Sequence, residues 1–80
     1  MAKRKQIGLL EILDAESEAR TASNAACPHA MDAIVTAAIK FGAGRRALGP
    51  KASTVFLDET RRAGNAVVAA GDAIRKRCFR

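Results

Sequence analysis

STVFLDETRRAGNAVVAAGDAIRKRC, residues 53–78, decides the fold. Its inward positions recur at alternating spacings of three and four residues, which is the period of one face of an α-helix. These positions are Phe56, Thr60, Ala63, Val67, Ala70, Ile74 and Cys78. Ser53 or Thr54 supplies an N-cap, and Asp58 and Glu59 complement the helix dipole. The stretch predicts a long C-terminal helix over residues 53–77.

Two shorter helices are predicted upstream, over residues 6–23 and 28–41. The first has the apolar positions Leu9, Ile12, Leu13, Ala15, Ala19, Ala22 and Ala26, and the second has Met31, Ile34 or Val35, Ala38 and Phe41. Pro28 breaks or kinks the chain between them, because proline lacks a backbone donor. Three glycines and Pro50 predict a basic loop over residues 42–52.

Composition excludes most β architectures. The chain of 80 residues is 49% apolar, but much of this is alanine, and it has three Phe and neither Trp nor Tyr. Alanine, leucine and charged residues favour helix, whereas strands favour aromatic and β-branched residues. We therefore predict one all-α domain over residues 1–80, either a small three-helix bundle or a helical hairpin with a long C-terminal helix, with a thin, alanine-rich core.

The two cysteines are predicted to be free thiols. A loop over residues 42–52 places Phe41 level with Ser53, and Cys27 then lies level with about residue 67. Cys78 falls roughly 16 Å further along the third helix. That separation exceeds the reach of a disulfide.

Self-association is predicted from the third helix, because its inward face extends beyond the end of the short second helix that would cover it. Gly64 and Gly71 lie seven residues apart and leave a groove without side chains on one face. Glycine inside a helix is unfavourable, so the pair indicates close approach of another helix. The predicted oligomer interface comprises Gly64, Gly71, Val67, Ile74, Ala15 and Ala22.

The stretch GRRALGPKAS, residues 44–53, resembles a phosphate-binding loop in spacing, but Pro50 separates Gly49 from Lys51 and no strand precedes it. The weaker prediction that remains is an anion site where cations meet the N-terminus of the third helix. Its residues are Arg45, Arg46, Lys51, Lys40 and Ser53. A solvated, solubilising loop is the competing interpretation.

No residue pattern predicts catalysis, a metal site or a cofactor. His29 is the only histidine, and a structural zinc site needs four ligands. Glu11, Asp14 and Glu18 share a helix face, but such a face is typical of solvated carboxylates. We therefore expect a protein that is not an enzyme.

The formal net charge of +6, with Lys3, Arg4 and Lys5 at one end and Arg75, Lys76, Arg77 and Arg80 at the other, favours anionic partners. We expect a small regulatory binding protein, bacterial or phage by its composition, that engages nucleic acid or a nucleotide through the basic loop and termini. One alternative is an inhibitor or adaptor that binds an acidic protein surface. A second is an oligomer that sequesters a nucleotide. Without a signal peptide or membrane span, we expect a cytoplasmic location.

Overall fold

The computed structural model describes the backbone of residues 2–79 and the side chains of residues 8–50 and 54–79. Three helices follow one another along the chain: α1 (Ala2–Asn24), α2 (Cys27–Val55) and α3 (Leu57–Cys78). Each packs against the other two, in a rod of 44 × 17 × 14 Å. The described residues contain no strand, so the all-α, three-helix prediction is confirmed.

The interruption around Pro28 is a break between two helices. α1 ends at Asn24, and Pro28 is the second residue of α2. Proline suits the first turn of a helix, where its missing N–H has no intrahelical partner to bind. The two helices are therefore separate elements.

The predicted loop over residues 42–52 is wrong, because α2 continues through it to Val55. The helix is interrupted only at Gly49, whose φ of 73° suits glycine, and the chain resumes at Pro50. Gly44 is buried against α1, and a methyl group there would lie 2.8 Å from the carbonyl oxygen of Gly8. Close packing of two helices therefore overrides the local preference of these glycines for a loop.

The core is narrow and made largely of alanine, as predicted. Three small clusters follow the rod axis, around Ile12 and Leu48, around Ala19 and Ala37, and around Ile74. The fully or almost fully buried apolar residues are Ile12, Ala15, Ala19, Ala22, Ala30, Ala37, Leu48, Ala63, Ala70 and Ile74. Alanine lets the helix backbones approach closely, which gives this small chain dense packing without aromatic residues.

The buried face predicted for α2 is right in part. Ile34 and Phe41 pack against the core as predicted, whereas Met31, Val35 and Ala38 are exposed. The buried apolar residues of this helix are Ala30, Ala37 and Leu48. Of the apolar positions predicted for the first helix, Leu13 is exposed, and Ala26 lies beyond the end of α1 and is exposed as well. The face predicted for α3 is confirmed, with Thr60, Ala63, Ala70 and Ile74 buried.

α3 begins later than predicted. Phe56 occupies the N-cap position without a side-chain hydrogen bond, and Thr54 Oγ1 donates to the carbonyl of Pro50 instead of capping α3. The side chain of Ser53 lies outside the described residues. The turn between α2 and α3 is therefore tight and centred at Phe56.

Cys27 and Cys78 form a disulfide, with Cα atoms 5.7 Å apart, so the prediction of free thiols is wrong. The error follows from the misplaced loop. Cys27 lies 22 residues before Gly49, and Cys78 lies 22 residues after Phe56. The longer α2 therefore brings both cysteines to the same end of the bundle.

Candidate anion-binding surface

Arg45 and Arg46 lie in the last turns of α2 before Gly49, and both side chains are exposed. Together with Gly42, Gly49 and Pro50 they line a shallow, open depression. The Arg45 guanidinium lies 5.9 Å from the centroid of the Phe41 ring, in a cation–π contact. Two of the predicted anion-binding residues are thus adjacent and accessible. The side chains of Lys51 and Ser53 lie outside the described residues.

Lys40 does not belong to this surface. Its Nζ donates to Glu18 Oε1 at 2.8 Å and to Asp14 Oδ2 at 3.3 Å, and so connects α2 to α1. These hydrogen bonds, first to Glu18 and then to Asp14, raise the pKa of Lys40 above its ordinary value of 10.5. A cation that already binds two carboxylates is a poor ligand for an external anion.

The raised pKa of Lys40 predicts a loss of stability at alkaline pH. Because the folded pKa exceeds the unfolded one, the stabilisation is complete below pH 10.5 and is lost as pH rises through the folded value. Lys40→Met should show a smaller drop in unfolding free energy than the parent between about pH 9 and about pH 11.5, measured by urea denaturation.

Lys76→Met is the matched control, since Lys76 is exposed and has no carboxylate partner among the described side chains. Its alkaline drop should equal that of the parent. Equal drops for the parent and Lys40→Met would contradict the assigned ion pairs.

Two carboxylates make the N-terminus of α3 unfavourable for an external anion. Asp58 and Glu59 occupy its first turn, where their carboxylates already complement the positive end of the helix dipole. An incoming anion would meet these two negative charges. The cations before Gly49 instead lie at the C-terminal end of a helical segment, where they offset the negative end of its dipole.

Arg61 and Arg62, which the sequence reasoning missed, are the other exposed arginines near this end. Two contacts fix the register of α2 against α3: the disulfide between Cys27 and Cys78, and the packing of Phe41 on Gly64. The two contacts are separated by 14 residues on α2, from 27 to 41, and by 14 residues on α3, from 64 to 78. Arg45 therefore lies level with Thr60 along the bundle axis, at the same end of the bundle as Arg61. A correctly placed turn would have revealed this arrangement.

We name Arg45, Arg46, Arg61 and Arg62 the arginine surface. None of them pairs with a carboxylate of the described residues. The other described arginines are engaged: Arg20 with Glu16, Arg75 with Asp72, and Arg77 with the backbone carbonyls of Ser23 and Ala25. Arg77 thereby satisfies carbonyl groups at the C-terminus of α1. The unpaired arginines are concentrated at one end of the bundle.

Most residues of the predicted oligomer interface lie inside one chain. Ala15, Ala22 and Ile74 are buried, and Val67 packs on an internal cluster. The space above Gly64 is occupied by the Phe41 ring, since a methyl group at Gly64 would lie 3.1 Å from Phe41 Cζ. Only Gly71 has open space around it. The predicted interface residues therefore do not support self-association.

A second depression lies between α1 and α2 and is lined by Glu18, Thr21, His29, Asp32, Ala33 and Thr36. Its carboxylates disfavour anions. Within the described part of the chain, no group of His, Cys, Asp and Glu side chains is arranged to hold a metal ion. Asp14 and Glu18, two carboxylates of the acidic face predicted for the first helix, both bind Lys40.

The chain matches no family model, no curated protein and no solved structure. None of the described helices combines the length and apolar character that crossing a membrane requires.

Proposed function

We propose that this chain is a small, non-enzymatic binding protein that engages the backbone of nucleic acid through the arginine surface. The observation that supports it is the division of the described arginines into two groups. Those at one end of the bundle have no carboxylate partner, whereas each of the others binds a carboxylate or backbone carbonyl groups of its own chain. Exposed arginines without internal partners are available for bidentate contacts with phosphate.

Contact with phosphates rather than with bases follows from the aromatic residues. Phe41 and Phe56 pack against the core, which leaves Phe79, at the far end of α3, as the exposed one. Recognition of single-stranded bases uses aromatic platforms for stacking, and the arginine surface offers none. The proposed contacts are therefore with phosphates and not with stacked bases.

Two variants of equal charge test the proposal. Arg45→Gln with Arg61→Gln removes two unpaired cations, and Arg20→Gln with Arg75→Gln removes two paired ones. Fluorescence anisotropy with a labelled double-stranded DNA should show weaker binding by the first variant and a salt slope lower by about 2. The second variant should bind almost as the parent does. Equal weakening by both variants would show that net charge alone drives binding and would overturn the site.

Poly-glutamate in the same assay represents the acidic protein surface of the alternative function. Tighter binding of that peptide than of DNA at equal salt would favour an adaptor or inhibitor.

The nucleotide-sequestering alternative has a direct optical readout. The chain contains neither Trp nor Tyr, so a 260 nm band in the purified protein would come from a bound nucleotide or nucleic acid.

The disulfide bears on the proposed cytoplasmic location. Cytosolic thiol pools keep most cysteine pairs reduced, whereas oxidising compartments preserve disulfides. A cytoplasmic copy would therefore have its two thiols adjacent but reduced, and trapping thiols with an alkylating reagent at cell lysis would count them. The bacterial or phage origin rests on composition alone.

A further inference from the structure

An apolar stripe lies on the outer side of α2, away from the core. Met31, Val35 and Ile39 follow one another at four-residue spacing, with exposed fractions of 40%, 57% and 64%. Ala38 and Gly42 share this side of the helix. We name these five residues the outer stripe. α2 is thus apolar on two sides. One side packs against α1 and α3, and the other is exposed.

Two opposite charges flank the apolar residues Val35 and Ile39 of the outer stripe along the helix. Asp32 lies seven residues before Ile39, and Arg46 lies seven residues after it. Residues seven apart lie on nearly the same side of a helix, so all three are aligned. Both charged side chains are exposed, and neither forms an ion pair with another described residue.

We propose that two copies of this chain pair through their outer stripes, with the two α2 helices antiparallel and Ile39 at the two-fold axis. Asp32 of each copy then faces Arg46 of the other, because both lie seven residues from the axis. The two ion pairs flank an apolar centre made by Val35 and Ile39 of both copies.

Charge order along the stripe favours a second copy over other occupants. The occupant must present apolar side chains between a cation and an anion in the reverse order, and a two-fold axis supplies this arrangement automatically. Nucleic acid has no apolar strip to offer and would be repelled by Asp32. The dimer uses one member of the arginine surface, Arg46, and leaves Arg45 and Arg61 available for the anionic partner.

The chain also has a physical reason to pair. An 80-residue protein buries a small fraction of its surface, and its alanine-rich core adds little apolar area. Association stabilises the folded state by mass action. The outer stripe extends about 16 Å along the helix from Met31 to Gly42, which gives the contact about three turns of length.

Sedimentation equilibrium of the full chain at tens of micromolar tests the proposal. We expect about twice the chain mass of 8.5 kDa. Ile39→Glu should raise the dissociation constant by roughly 100-fold or more, because it places a carboxylate at the apolar axis. Val68→Glu is the matched control: Val68 is also exposed, at 66%, but lies on α3. A monomeric parent, or dissociation by Val68→Glu and not by Ile39→Glu, would overturn the proposal.

Exchange of the two charges tests the antiparallel register separately. Asp32→Arg and Arg46→Asp should each raise the dissociation constant by about 10-fold or more, since each change places two like-charge pairs in the interface. The double variant restores opposite charges and should return to within about 3-fold of the parent. A double variant as dissociated as either single variant would overturn the register. Circular dichroism of each variant verifies that the helices persist.

Discussion

Replacing Cys27 and Cys78 together by alanine should lower the free energy of unfolding by about 3 to 4 kcal/mol at 25 °C. The two residues are 51 positions apart, and opening so long a loop returns much conformational freedom to the unfolded chain. A chain of 80 residues has a total stability on the order of 4 to 12 kcal/mol. The bond therefore contributes a large part of the stability of this fold.

Urea denaturation of oxidised parent, reduced parent and double variant measures this effect. Reduced parent and double variant should unfold at similar, lower urea concentrations, and reductant should leave the double variant unchanged. Thiol titration of unreduced, denatured parent should find no free thiol. Two free thiols in that titration would show that the bond does not form and would support the earlier prediction from the sequence.

The fold class and the third helix were predictable because their signals are local. The inward positions from Phe56 to Cys78 keep a helical period over the whole segment, and no partner is needed to recognise it. Composition excludes strands in the same way. Neither the helical period nor the composition depends on how the helices pack together.

The length of α2 was not predictable from local signals. Gly42, Gly44 and Pro50 together favour a loop, but Gly44 is needed where α1 and α2 approach. The register error and the missed disulfide both follow from this one assignment. A glycine required by close packing and a glycine required by a turn look the same in a single sequence.

The candidate site was predictable only in part, for a related reason. The exposure of Arg45 and Arg46 follows from their charge, but the engagement of Lys40 depends on Asp14 and Glu18, more than 20 residues away. Arg61 comes to the same end of the bundle as Arg45 only when α2 and α3 are in their true register. Such partners are determined by tertiary packing, which local patterns do not contain.

The close approach of α1 and α2 leaves no room for a side chain at Gly44. Gly44→Ala should lower the free energy of unfolding by about 1 to 3 kcal/mol, because overpacking forces backbone or side chains apart. The added methyl group would lie 2.8 Å from the carbonyl oxygen of Gly8 and 2.9 Å from Ile12 Cγ1. The backbone oxygen cannot rotate away, so the two helices must separate. The bulkier Gly44→Val should cost more.

Gly71→Ala is the matched control, because it makes the same chemical change within a helix. No atom lies within 4 Å of a methyl group built at Gly71, so alanine brings only its better helix propensity. We expect an increase of about 0.5 to 1 kcal/mol in unfolding free energy. For a domain of this size, 1 kcal/mol corresponds to a shift in Tm of roughly 4 to 8 °C, so thermal melts should move in opposite directions. If Gly44→Ala stabilises the protein as Gly71→Ala does, residues 42–48 do not pack against α1, and the glycine-rich stretch is a loop after all.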